Sequence, residues 1–210
     1  MAKLAERPLA FIDVETTGLD PQRHEVIELA VVFDAHWLNT TAAPWTRRVT
    51  VKGDTAVYTT KVKPTRLDQA DPIALQVNGF NAYEWGSAPA ASAVAPIVAE
   101  LLGRSGANPV IVGHNVHFDI SFLSALLQQG GVTEQLSYRA VDTYTLAFEH
   151  LAPCGLDSLS LDNIRRFLDL PTVGAHRALK DALDARLVYK RLTRASFLSR
   201  LWWKFRNRNK

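Results

Sequence analysis

The sequence predicts an α/β domain: a mixed central sheet of about five strands flanked by helices. Three observations point there. Three apolar, β-prone runs succeed one another between residues 8 and 62. Beyond residue 72, helix-like stretches alternate with two further short apolar runs. And 210 residues, 47% of them apolar and 21% charged, suffice for one well-filled core of ordinary composition.

Taken in order, Pro8 to Val14 is expected as a buried strand, ended by Thr16, Thr17 and Gly18. Glu25 to Phe33 is a second apolar run at hairpin distance. Arg47 to Val62, rich in Val, Thr and Tyr, forms a third strand or two paired ones, preceded by a loop at Asn39–Pro44. Pro72 opens a short helix that Gly79 closes, with proline in the first turn and glycine past the last. Ser87 to Leu102 is a helix stopped by Gly103. Pro109 to Gly113 is a short buried strand, and Asp119 to Gln129 a helix ended by Gly130 and Gly131. Tyr138 to Val141 supplies the last strand, and residues 143–151, 157–168 and 177–194 are helical.

Charge is unevenly spread. The net value is +3, yet residues 194–210 hold six bases and no acid, which leaves 18 bases against 21 acids on residues 1–193. Residues 1–193 are therefore read as a mildly acidic body and 194–210 as a basic, aromatic tail suited to an anionic partner. The mixture of Trp202, Trp203 and Phe205 with Arg and Lys fits nucleic-acid contact, a protein partner or a membrane surface; the plain alternative is a tail whose tryptophans pack on the body. A single cysteine, Cys154, excludes an intramolecular disulfide and a multi-cysteine zinc site. The N-terminus lacks the pattern of a secretion signal, and the longest apolar-looking stretch, Ala88 to Leu102, is broken by Pro89, Pro96 and Glu100. A cytoplasmic protein without a transmembrane segment is expected.

Four carboxylates and a histidine carry the functional signal. Asp13 and Glu15 stand two apart on the first strand, so their side chains share a face. Asp119 lies where the strand ending at Gly113 gives way to a helix, and Asp181 lies in the last long helix, five residues after His176. Phosphodiester cleavage builds negative charge on the phosphoryl, attacking and leaving oxygens, and two divalent ions about 4 Å apart stabilise both ends of an in-line displacement. Mg²⁺ or Mn²⁺ prefers carboxylate, phosphate and water oxygens. A neutral imidazole titrates in the right range to deprotonate an attacking water. His114 and His117 suit zinc better and are read as structural or rim residues, and Asp142 as a helix cap.

Phe11-Ile-Asp-Val-Glu-Thr-Thr-Gly-Leu19, Gly113-His-Asn-x-x-Phe-Asp119 and His176-Arg-Ala-Leu-x-Asp181 together resemble the DEDDh family of 3′→5′ exonucleases, which includes DnaQ-like proofreading subunits and ribonuclease T. The resemblance covers roughly residues 8–192, with all three blocks in the family's order. It implies a ribonuclease H-like sheet and two Mg²⁺ or Mn²⁺ ions. Asp13, Glu15 and Asp181 would bind the ion nearest the attacking water, with Asp13 bridging to the second ion and Asp119 reaching that one. His176 would take the proton from the water. The same resemblance offers Thr16, Thr17 and Gly18 to the terminal nucleotide, the alternative being a simple turn. Leu19 would wedge against the terminal base or belong to the core, and Asn115 would touch substrate or brace its loop.

The function expected is release of nucleoside 5′-monophosphates from single-stranded 3′ ends of DNA or RNA. A polymerase or a second copy of the chain is a candidate partner. A non-catalytic nucleic-acid or polymerase-binding module of the same fold is the alternative, and the intact set of acids argues against it.

Overall fold

The computed structural model describes residues 7–39, 44–105, 107–171, 177–196, 199, 202, 203 and 205. The first strand, β1 (Leu9–Thr16), pairs antiparallel with β2 (Val26–Asp34) and parallel with β5 (Val110–Gly113). On the β2 side, β4 (Thr55–Lys61) and β3 (Thr50–Lys52) extend the sheet antiparallel; beyond β5 lies the parallel β6 (Ala140–Asp142). The order is β3-β4-β2-β1-β5-β6, a mixed sheet of six strands. The expected α/β architecture is thus present. The sixth strand arises because Arg47–Val62 resolves into the paired alternative: Gly53, at φ +59°, turns the chain between β3 and β4.

Seven α-helices follow among the described residues: α1 (Pro72–Val77), α2 (Ala82–Gly86), α3 (Ala91–Leu102), α4 (Val116–Gln129), α5 (Thr143–Leu151), α6 (Leu161–Phe167) and α7 (Ala178–Thr193). Three expectations need correction. The helix expected from Ser87 begins at Ala91, and ahead of it lies the short α2, anchored by the buried Trp85, whose indole N–H donates to the Ile27 carbonyl (2.6 Å). The residue before Pro89 is also pushed out of helix by the proline ring. The helix expected from 157 begins at Leu161, where the Ser160 side chain accepts from the Asn163 amide as a cap. The helix expected from Asp119 begins at Val116, with Asn115 left-handed at its N-cap (φ 60°, ψ 44°). Residues 40–43 of the expected Asn39–Pro44 loop lie outside the described residues.

Alternation along β1 sorts the core. Ala10, Ile12 and Val14 pack with α3 and α4 residues such as Val94, Val98, Ile120 and Leu123. Phe11 faces the other way with Ala30, Val32 and Val57, against Ala178 and Ala182 of α7, and its ring meets Tyr189 at 5.6 Å. Asp13 and Glu15 share the parity of Phe11 and so fall on the α7 face, where the apolar layer runs out at the sheet's end. A separate cluster joins α5, α6 and the last turns of α7 around Leu151, Ile164, Val188, Leu192 and Trp203. Far from Asp13, Arg186 of α7 pairs with Asp34 and Asp54, and Lys190 donates to Asp34 (2.8 Å), which fixes the helix's direction over β2.

Candidate metal centre

Asp13, Glu15 and Asp181 each present a carboxylate oxygen within 4.8 Å of the other two. Strand periodicity puts Asp13 beside Glu15, and the first turn of α7 brings Asp181 over both. Asp119 comes from the opposite side of the sheet. Its Oδ1 accepts from the Val14 amide (3.0 Å), the backbone link between the two β1 acids. Glu15, Asp119 and Asp181 are buried; Asp13 keeps part of its surface open.

Such crowding is electrostatically costly. Burial, followed by the charges of Asp119, Asp181, Glu15 and Glu28, pushes Asp13 well above the usual carboxylate range. Burial, with Asp181 and Glu28 adding to it, raises Glu15 to about 7. Burial likewise raises Asp119, against the lowering effect of the Val14 amide. A set of oxygen donors whose ionised forms repel one another is chemically matched to a hard divalent cation. The residues present therefore fit Mg²⁺ or Mn²⁺, with Asp13, Glu15 and Asp181 as the grouped donors and Asp119 adjacent.

Glu28 is a neighbour that the sequence reasoning did not single out. Glu28 lies directly across β2 from Glu15, buried, and accepts from Arg177 Nε at 3.0 and 3.2 Å. Arg177, the N-cap of α7, in turn lowers Glu15 electrostatically. Lys180 donates to Asp181 (3.1 Å) and to Asp184 (2.9 Å), and Asp184 also meets Arg165 of α6. The alternation of β2 put Glu28 on a cross-strand row with Glu15, but only the register reveals it. His176 lies outside the described residues.

The strand-ending turn is internally bonded. The Thr16 hydroxyl donates to the Gly18 carbonyl (2.6 Å), and the Thr17 hydroxyl accepts from the Glu25 amide (2.9 Å). The Thr16 carbonyl accepts from Asn78 (2.8 Å) and the Thr17 carbonyl from the Asp71 amide (2.7 Å), so α1 is pinned beside the acids. Gly18 fits because the His24 ring would stand 2.5 Å from any Cβ there. Leu19 is 78% exposed and is no part of the core. The Asn115 amide donates to Asp142 Oδ1 (2.9 Å), which also caps α5 through the Tyr144 amide. The His114 ring is held between the Thr143 hydroxyl and the Leu159 carbonyl, as a structural residue should be.

The exonuclease family model RNase_T matches residues 10–189. DNA polymerase III subunit epsilon of Aquifex aeolicus is 30% identical over 203 residues, covering 96% of this chain and 86% of that protein. The subunit of the same name from Treponema pallidum is 30% identical, over 81% of this chain and 69% of that one. Among solved structures, E. coli exonuclease I in complex with a dT13 oligonucleotide superposes with a TM-score of 0.64 at 18% identity, a likeness of fold. It covers 93% of this chain, which spans 42% of the exonuclease I chain. No helix among the described residues is long and apolar enough to cross a membrane.

Proposed function

The chain belongs to the exonuclease family, a DEDDh-type 3′→5′ nuclease, and on that premise we propose that its carboxylate cluster hydrolyses single-stranded 3′ ends to nucleoside 5′-monophosphates with two Mg²⁺ or Mn²⁺ ions. The gathering of Asp13, Glu15 and Asp181 within 4.8 Å carries this reading. When bound, the ions would neutralise charge building on the phosphoryl and leaving oxygens. Asp13, Glu15, Asp181 and Asp119 would hold them. His176, by its place in the motif, takes the proton of the attacking water. Arg177 pairs with Glu28, so that this fifth carboxylate is turned away from the site. The turn Thr16–Leu19 borders the cluster, and there the backbone and the exposed Leu19, rather than the threonine hydroxyls, are available to the terminal nucleotide. Asn115 braces its loop through its backbone while its side chain stays exposed at the rim.

The name shared by two relatives extends the proposal to a polymerase as partner. For the activity itself, a 5′-labelled single strand incubated with Mg²⁺ should shorten stepwise from its 3′ end and release mononucleotides. Chelator and Asp13→Asn should each abolish this. Stepwise products that persist in either case would overturn the reading.

A further inference from the structure

A second feature of α7 lies away from the acids. Between its last two turns and the C-terminal residues Ser199, Trp202 and Trp203 runs an open groove of about 730 Å³. Trp203 forms its floor, 2% exposed within the α5–α6–α7 cluster, whereas Trp202 is 51% exposed at the wall. Leu187, Arg191 and Arg194 line the α7 side. Both arginines are exposed, and among the described residues neither side chain makes a hydrogen bond or ion pair. Lys190, also lining the groove, is already committed to Asp34.

Spacing connects this groove to the metal centre. Lys180, Asp184, Leu187, Arg191 and Arg194 follow one another at intervals of four, three, four and three residues, which is one stripe on an α-helix. The stripe starts at Lys180, bonded to Asp181 of the cluster, and ends in the groove about 21 Å away along the helix axis. Asp184, its single acid, is buried and neutralised by Lys180 and Arg165. Two guanidinium groups beside an exposed indole are the pairing that holds a sugar–phosphate backbone and stacks a base.

We propose that the Arg191–Arg194–Trp202 groove is a second binding site, holding a single-stranded nucleic acid several nucleotides upstream of the 3′ end under cleavage. The inference rests on the exonuclease reading for its substrate, but the groove's affinity is testable without turnover. Asp184, midway along the stripe, is covered by Arg165 of α6, so the stripe measures the separation rather than the path, and the groove engages only strands long enough to reach it from the acids. It therefore contributes to KM for long strands and not to the chemistry at their ends.

The test uses the full chain and the variants Arg191→Glu/Arg194→Glu and Trp202→Ala, with melting curves to establish that each is folded. Hydrolysis of a dinucleotide, too short to reach the groove, should stay within about twofold of wild type. For a strand of twelve nucleotides, KM should rise about tenfold or more in the double variant, with little change in kcat. Binding of that strand to Asp13→Asn protein, read by fluorescence anisotropy, should lose about 0.7 in salt slope for each phosphate contact removed. If long-strand affinity and its salt dependence are unchanged in the double variant, the proposal is overturned. If long-strand binding is unaffected while binding to phosphatidylglycerol vesicles, but not phosphatidylcholine vesicles, is lost, the groove is a membrane site and the proposal is equally overturned. Absence of cleavage in wild type, with anisotropy still sensitive to the arginines, would fault the nuclease reading and leave the groove standing.

Discussion

At the scale of single residues, Glu15 holds more electrostatic strain than its place in a strand suggests. Burial and the nearby Asp181 and Glu28 raise it to about 7 from an ordinary value of 4.5. The native state then holds a proton that the unfolded chain has released, so stability contributed by this group falls as pH climbs from about 4.5 to 7 and stays low above. The span corresponds to about 3 kcal/mol. In chelator, the melting temperature should therefore drop across that window, and Glu15→Gln, which is neutral throughout, should flatten the drop. A profile as steep in Glu15→Gln as in wild type would remove Glu15 as its source. Asp13→Asn should act in the same stabilising direction on the metal-free protein while lowering cleavage by about a thousandfold or more, the cost of losing a metal donor at the reacting centre. A side chain that weakens the fold and is indispensable to the reaction is what separates a site from a chance cluster of acids.

At the scale of elements, the cleft wall depends on a residue with the opposite electrostatic sense. Glu25, immediately before β2, is buried and accepts from the amides of Thr65 (2.8 Å) and Arg66 (2.7 Å) and from the Thr65 hydroxyl (2.6 Å). Burial alone would raise it, but the Thr65 hydroxyl and these amides together hold it below the ordinary range. Its contribution is therefore present at neutral pH and is lost as pH falls through its depressed native value. Glu25→Ala would strand two amides and cost about 3 kcal/mol, read as a lower denaturation midpoint. The segment leading into α1 would loosen with it, so KM for short strands should rise as well. Much of this layer was legible beforehand. The strands of β1 and β2 announce themselves as apolar runs, the Asp13–Glu15 face follows from strand parity, and α5 from its Asp142 cap. What was not legible is cross-strand and cross-element. Nothing local says that Glu28 stands opposite Glu15, that Trp85 reaches Ile27 and anchors a short helix ahead of α3, or that Asp119 sits within the first turn of α4 rather than at its start. Register and tertiary anchoring decide those, and neither is encoded in a short window.

At the scale of the whole molecule, α7 joins two requirements at its two ends. Its first turn contributes Asp181 to a repulsive cluster, while its later turns are fastened by Arg186 and Lys190 to Asp34 and Asp54 and by Val188 and Leu192 to the cluster around Trp203. A helix held at the far end keeps the acids together when no cation does. Trp203→Ala should therefore cost about 3–5 kcal/mol, since the indole is almost wholly buried. The same frame predicts how cations and folding couple. A ligand that binds only the native state at a hundred times its Kd adds about 2.7 kcal/mol. Protons compete for the same oxygens, because Asp13, Glu15 and Asp119 are all shifted toward their neutral forms. Mg²⁺ or Mn²⁺ should thus raise the melting temperature by several degrees at about pH 8 and by much less at about pH 5. In Asp13→Asn/Asp181→Asn protein the pH 8 gain should vanish, because two of the three grouped donors are gone. An equal gain in that variant would place the cations elsewhere on the molecule, and an equal gain at both pH values would mean that the acids do not compete with protons for them.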